Sequence, residues 1–115
     1  MSYAALVGYT AIRDQTGSAV FYTPPIAREA TKAVFSLQTT HFVSAGAVVV
    51  TVEHKDFADT LWATADAFAD ITAAGVKTLA VSGLMEELRF KIAFSGGNPL
   101  GFAHIVLAEV TWLSD

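Results

Sequence analysis

Leu88, Phe90, Ile92 and Phe94 alternate with Arg89, Lys91 and Ala93. A period of two places the first set on one face of a strand and the second set on the other. This is the pattern of a half-buried strand in an antiparallel sheet, expected over residues 84–94. The same alternation recurs over residues 31–42, where Ala33, Phe35 and Leu37 oppose Lys32, Ser36 and Gln38. Residues 47–53 hold Val48, Val49, Val50 and Val52, which predicts a strand buried on both faces, with Val49, Thr51 and Glu53 on the less buried side. Residues 76–81 and 102–112 read as further strands, and residues 20–23 as a short one ended by Pro24-Pro25. Turn signals fall at Ala45-Gly46, at Ser82-Gly83 and across residues 95–101. Seven to eight strands at short, regular spacing predict an all-β fold, an antiparallel β-sandwich or jelly roll.

Residues 60–74 admit two readings. Leu61, Ala65, Phe68, Ala69 and Thr72 fall at helical spacing, the segment is rich in alanine, and Gly75 suits the position after a helix. The other reading is a strand over 61–65, a turn, and a short strand over 68–71.

At 115 residues the chain is one domain. Residues 1–16 read as an N-terminal arm or edge strand, and residues 17–115 as a single β-sandwich domain. A chain of this length buries roughly two-thirds of its unfolded surface, enough for a core without staples. Apolar residues make up 53% and charged residues 16%, against a usual ~25% charged. So little charge suits either a very apolar small sandwich or a surface covered by partner subunits. The net charge of −4 and the scatter of seven basic residues argue against a nucleic-acid partner. No apolar run reaches the ~18 residues that span a bilayer, so no membrane partner is expected. The N-terminus lacks the basic region and long apolar core of a signal peptide. Without cysteine there are no disulfides and no thiolate metal sites.

Chemistry is sparse. His41, His54 and His104 have no metal-ligand spacing. Glu53, His54 and Asp56 lie close in sequence and suggest a metal site, but a polar loop over residues 54–59 is the plainer reading. Asp56 with Asp59, Asp66 with Asp70, and Glu86 with Glu87 are formal acid/base pairs, read here as solvated surface. The glycine-rich run over residues 96–101 lacks the Gly-Lys-Ser/Thr ending of a phosphate loop and reads as a hairpin loop. We therefore expect no enzyme, no catalytic residue, no cofactor and no metal. Trp62, Phe57, Phe21, Tyr22 and Trp112 raise the possibility of stacking on sugar rings.

Val50-Thr51-Val52-Glu53-His54-Lys55, then Asp59-Thr60-Leu61-Trp62, Phe68, Gly75-Val76, Ser82-Gly83-Leu84-Met85-Glu86-Glu87 and Leu88-Arg89-Phe90 follow in order. This series resembles small β-sandwich virion proteins of tailed bacteriophages and gene transfer agents. Their pattern is a V-x-V-E/Q-H-K strand, a polar loop, a tryptophan, a Gly-Val turn and an L-x-E-x-x-R-F/Y strand. The resemblance covers about residues 45–112, and the alanine-rich 60–74 departs from the family's Ser/Thr-rich flavour. It implies a strand at or beside Trp62. It also implies a structural role as a capsid decoration, spike-base or head–tail component. Such a protein forms a symmetric homo-oligomer with other virion proteins, in a virion made in the bacterial cytoplasm. A carbohydrate-binding module, with a glycan as partner, is the alternative. Candidate interface residues are Tyr3, Leu6, Val7 and Tyr9 of the arm, Phe21, Tyr22 and Ile26, and Trp112 and Leu113.

Overall fold

The computed structural model describes the backbone of residues 2–14, 20–43, 47–95 and 101–113, and the side chains of residues 20–42, 47–93, 104–107 and 110–113. The turn expected at Ala45-Gly46 and most of the loop expected at 95–101 lie outside the described residues. Among the described residues nine strands follow in chain order: β1 (Ser2–Asp14), β2 (Val20–Tyr22), β3 (Ile26–Ala27), β4 (Lys32–Val43), β5 (Ala47–Lys55), β6 (Ala63–Ala67), β7 (Gly75–Val81), β8 (Glu87–Ser95) and β9 (Gly101–Leu113). They build a four-stranded sheet in the order β1-β9-β4-β7 and a five-stranded sheet in the order β2-β8-β5-β6, with β3 also on β8. All pairings are antiparallel. Among the described residues no helix is long and apolar enough to cross a membrane.

The connectivity is that of a folded hairpin rolled on itself. β1 pairs with β9, β2 and β3 with β8, β4 with β7, and β5 with β6. The first half of the chain thus meets the second half in reverse order. Rolling this ribbon brings β9 against β4 and β8 against β5 and splits it into two sheets. That is a jelly roll of eight strand positions. The ninth strand arises because Pro24-Pro25 cannot continue a ladder, so one position is broken into β2 and β3. The β5–β6 loop is the tip of the hairpin. Residues 2–14, expected as an arm or an edge strand, form an edge of the four-stranded sheet.

The core fills the space between the sheets. Val48, Val50 and Val52 of β5 and Leu88, Phe90 and Ile92 of β8 face Ala33, Phe35 and Leu37 of β4 and Ile105, Leu107, Val110 and Trp112 of β9. Phe35 joins the layers: its ring meets Phe90 of the opposite sheet edge-on at 5.5 Å and Trp112 of its own sheet at 6.4 Å. Both are the T-shaped geometry that ring quadrupoles favour.

Four expectations need correction. β5 is buried on one face only, because Val49, Thr51 and Glu53 alternate outward. His54 and Lys55 continue β5 and are not loop residues, and the His54 side chain faces the interior. β8 begins at Glu87 and not at residue 84. Gly83 has φ +70°, and the next three N–H groups bond to Thr31 C=O, His54 Nδ1 and Asp56 Oδ1. No single ladder takes those groups, so the segment is irregular. The helical reading of 60–74 also fails. β6 pairs with β5, and Phe68 N–H and Ile71 N–H donate to Val50 and Val48 carbonyls at 2.9 Å. A register shift in β6 and the irregular stretch behind it turn Ala65, Phe68 and Ile71 inward at steps of three. Extended chain thereby imitates helical spacing.

Two substitutions test this packing. Thr39 is 3% exposed and its hydroxyl has no hydrogen-bond partner among the described residues. Thr39→Val removes an unpaired buried polar atom, so urea denaturation should show stability unchanged or raised by up to ~1 kcal/mol. A Cβ on Gly83 would meet nothing within 4 Å. Gly83→Ala therefore isolates the backbone cost and should lose ~1–2 kcal/mol in the same assay. A larger loss for Thr39→Val would contradict the burial described.

Candidate binding face

The outward residues of β5 and β8 form a charged ladder because the two strands pair in one register over nine positions, Ala47↔Ser95 through Lys55↔Glu87. Glu53 stands opposite Arg89, and Lys55 opposite Glu87. Arg89 Nε donates to Glu53 Oε1 at 2.8 Å, and Lys55 Nζ lies 3.2 Å from Glu87 Oε2. Opposite charges directly across a strand pair stabilise it.

Aromatic rings enclose this ladder. The Arg89 guanidinium lies 4.1 Å from the Tyr22 ring centre and 4.5 Å from that of Trp62. Lys55 Nζ lies 5.3 Å from the Trp62 centre. Tyr22 comes from β2 and Trp62 from the residue before β6, so the edges of the five-stranded sheet supply the rings and its centre supplies the cations. The Arg89 side chain is 22% exposed and that of Glu53 12%. A planar guanidinium stacks on a ring while bonding sideways to a carboxylate, which an ammonium cannot do.

The β5–β6 loop follows directly. Asp56 and Asp59 close it: Asp59 N–H donates to Asp56 C=O at 2.9 Å and Asp56 N–H to Asp59 Oδ2 at 3.3 Å. Lys55 Nζ donates to Asp59 C=O at 3.1 Å, and Phe57 N–H to Glu86 Oε1 at 3.1 Å. Held this way, the loop turns Phe57 and Leu61 to solvent, 60% and 82% exposed.

The structure separates several residues grouped from sequence. Glu53 and His54 lie on opposite faces of β5, so they cannot ligate one ion with Asp56. His54 Nδ1 instead accepts from Met85 N–H at 3.2 Å. Among the described residues no three His, Asp or Glu side chains are grouped to hold a metal. The carboxylate pairs have other partners: Asp66 accepts from Ala67 N–H at 2.8 Å, Glu86 binds the loop, and Glu87 binds Lys55. His41 and His104 face each other across β4 and β9 with rings stacked at 6.1 Å, and Thr40 Oγ1 lies 2.9 Å from His104 Nδ1.

Of the candidate interface residues, Tyr22 is at the surface and Leu113 is half-buried. Trp112 is 1% exposed and belongs to the core, because it lies on the inward face of β9 opposite Ala33. Phe21 and Ile26 also pack against the core. The side chains of Tyr3, Leu6, Val7 and Tyr9 lie outside the described residues. Sequence reasoning missed Leu61, given helical spacing in one of the two readings of 60–74, and Arg89, read only as a polar alternation. The missing signal for both was the β5–β6–β8 register.

The chain matches no protein-family model, and no curated protein is significantly similar to it.

Arg89→Gln removes two stacking contacts and leaves Glu53 without its cation. Denaturation should show a loss of ~1–2 kcal/mol. Arg89→Lys should recover less than half of that, because it keeps the charge and loses the plane. Equal stability of Arg89→Lys and the wild type would show that charge alone matters here.

Proposed function

We propose that the protein is a non-enzymatic structural subunit of a phage-like virion, a decoration, spike-base or head–tail component that works as a symmetric oligomer. The observation that carries this reading is the exposure of apolar side chains on a held framework. Phe57, Leu61 and Val76 are all more than half exposed in a chain only 16% charged. Phe57 and Leu61, held in water by the hydrogen-bonded β5–β6 loop, fit a surface that a partner covers. A rigid jelly roll suits such a role, although many functions share the fold. The motif resemblance supplies the virion context.

A glycan-binding module is the second reading, favoured by Tyr22 and Trp62 on one sheet face. Against it, both rings stack on Arg89, which already occupies the surface a sugar would need.

Light scattering over a concentration series tests the first reading. A discrete closed oligomer is expected, and a strict monomer at every concentration contradicts self-assembly. Tryptophan emission tests the second. With Trp112 buried, Trp62 is the reporter. A panel of neutral and acidic glycans should leave its emission unchanged, and a saturable shift would favour the glycan module.

A further inference from the structure

Between Ile71 and Gly75 the chain crosses from one sheet to the other. Ile71 and Val48 of the five-stranded sheet exchange N–H to C=O bonds at 2.9 Å, and Gly75 opens β7 of the four-stranded sheet. A hollow of about 220 Å³ lies at this crossing, lined by Thr39, Thr72 and residues 73–77. The β4–β7 register explains it. Leu37 stands opposite Lys77, and Thr39 opposite Gly75. Leu37 and Thr39 are buried, so all four positions belong to the inward face. Gly75 has no side chain to set beside Thr39, and a Cβ there would meet nothing within 4 Å. Ala73 and Ala74 add little bulk, so a gap is left at the end of the core.

Two polar groups belong to this gap. The Thr39 hydroxyl is buried and has no hydrogen-bond partner among the described residues. With no such bond to hold it, a turn about χ1 exchanges it with the methyl group and presents it to the hollow that its residue lines. Lys77 is half-buried at an inward position, and its ammonium makes no hydrogen bond or ion pair among the described residues. An inward lysine normally has a partner. Lys77 carries the single charge among the residues that line the hollow.

Beyond the structural role proposed above, we infer that this hollow binds a small oxyanion, held by the Lys77 ammonium and the hydroxyls of Thr39 and Thr72. The lining selects that chemistry. Its charge is positive, and both hydroxyls can donate to oxygen, in bonds that an anionic acceptor strengthens. The volume is several times the ~30 Å³ that a water occupies in the liquid, so it admits a phosphate or a carboxylate of a few carbons. An ammonium is a point charge without the planar fork of arginine, and it suits a tetrahedral or a planar oxyanion alike. A rival role attaches to the same residue. β7 is an edge strand, and an inward charge keeps an edge from pairing with another chain.

The test is an amide NMR titration of the whole chain at constant ionic strength, with inorganic phosphate in one arm and acetate in the other. The Gly75 and Lys77 amides should shift and saturate at millimolar concentration in at least one arm, and the arm that saturates names the anion. Lys77→Gln should weaken binding about tenfold or more, while Lys77→Arg keeps it within about threefold. Thr39→Val should weaken it about threefold without loss of thermal stability. Shifts that stay linear in both arms overturn the inference, as does equal saturation in wild type and Lys77→Gln. Aggregation of Lys77→Gln alongside a wild type that binds neither anion overturns it as well and assigns Lys77 to guarding the edge. Should Lys77→Gln aggregate while the wild type binds, Thr39→Val decides: unchanged affinity overturns the site, and weakened affinity supports it.

Discussion

The pairing of β5 with β8 is the constraint on which the rest of the molecule depends. Nine residues of each strand run in one register, and alternation sends Val48, Val50, Val52, Leu88, Phe90 and Ile92 inward while Glu53, Lys55, Glu87 and Arg89 go outward. A slip of either strand by one residue would turn that strand over, burying at least two charges and exposing three apolar side chains. Burial of those apolar groups therefore fixes the register, and the register then sets the charges opposite one another. Phe90 carries the constraint to the second sheet through Phe35, which in turn orients Trp112. Core and outer face are two consequences of one pairing.

Local alternation was legible because one-sided burial is written directly into the residue order. Ala33, Phe35 and Leu37 in β4 and Leu88, Phe90 and Ile92 in β8 could be placed inward from their neighbours alone. So could the break at Pro24-Pro25, which comes from backbone chemistry. The partners of each strand were not legible. Arg89 meets Glu53 across 36 residues of chain, and nothing near Arg89 records it. The stretch from Leu61 to Ile71 misled for a related reason. Its inward steps of three come from pairing with a distant strand through a bulge, while its alanine content favours helix. Trp112 was grouped with Leu113 as a candidate for the contact surface, yet its inward position follows from the parity of β9, set by the pairing with β4.

Rigidity connects the fold to the proposed role. The β5–β6 loop is the hairpin tip of the rolled ribbon, and tips of this kind are normally polar and mobile. Here Asp56, Asp59, Glu86 and Lys55 hold its backbone, which reduces the conformational entropy lost when a partner docks. Phe57 and Leu61 are left as preorganised apolar contacts. The Arg89 stack braces the sheet from which this loop springs. In the proposed role, long-range pairing would act on assembly through the stiffness of one loop.

The central claim is that this sandwich is the building block of a closed, symmetric oligomer. Negative-stain electron microscopy of the wild-type protein, averaged by class, tests it most directly. The sandwich is 42 Å along its longest axis, close to the ~43 Å that thirteen extended residues span. Closed particles of one discrete size, built from several sandwiches of this 42 Å length, are the predicted result. Open filaments or isolated monomers would contradict the account.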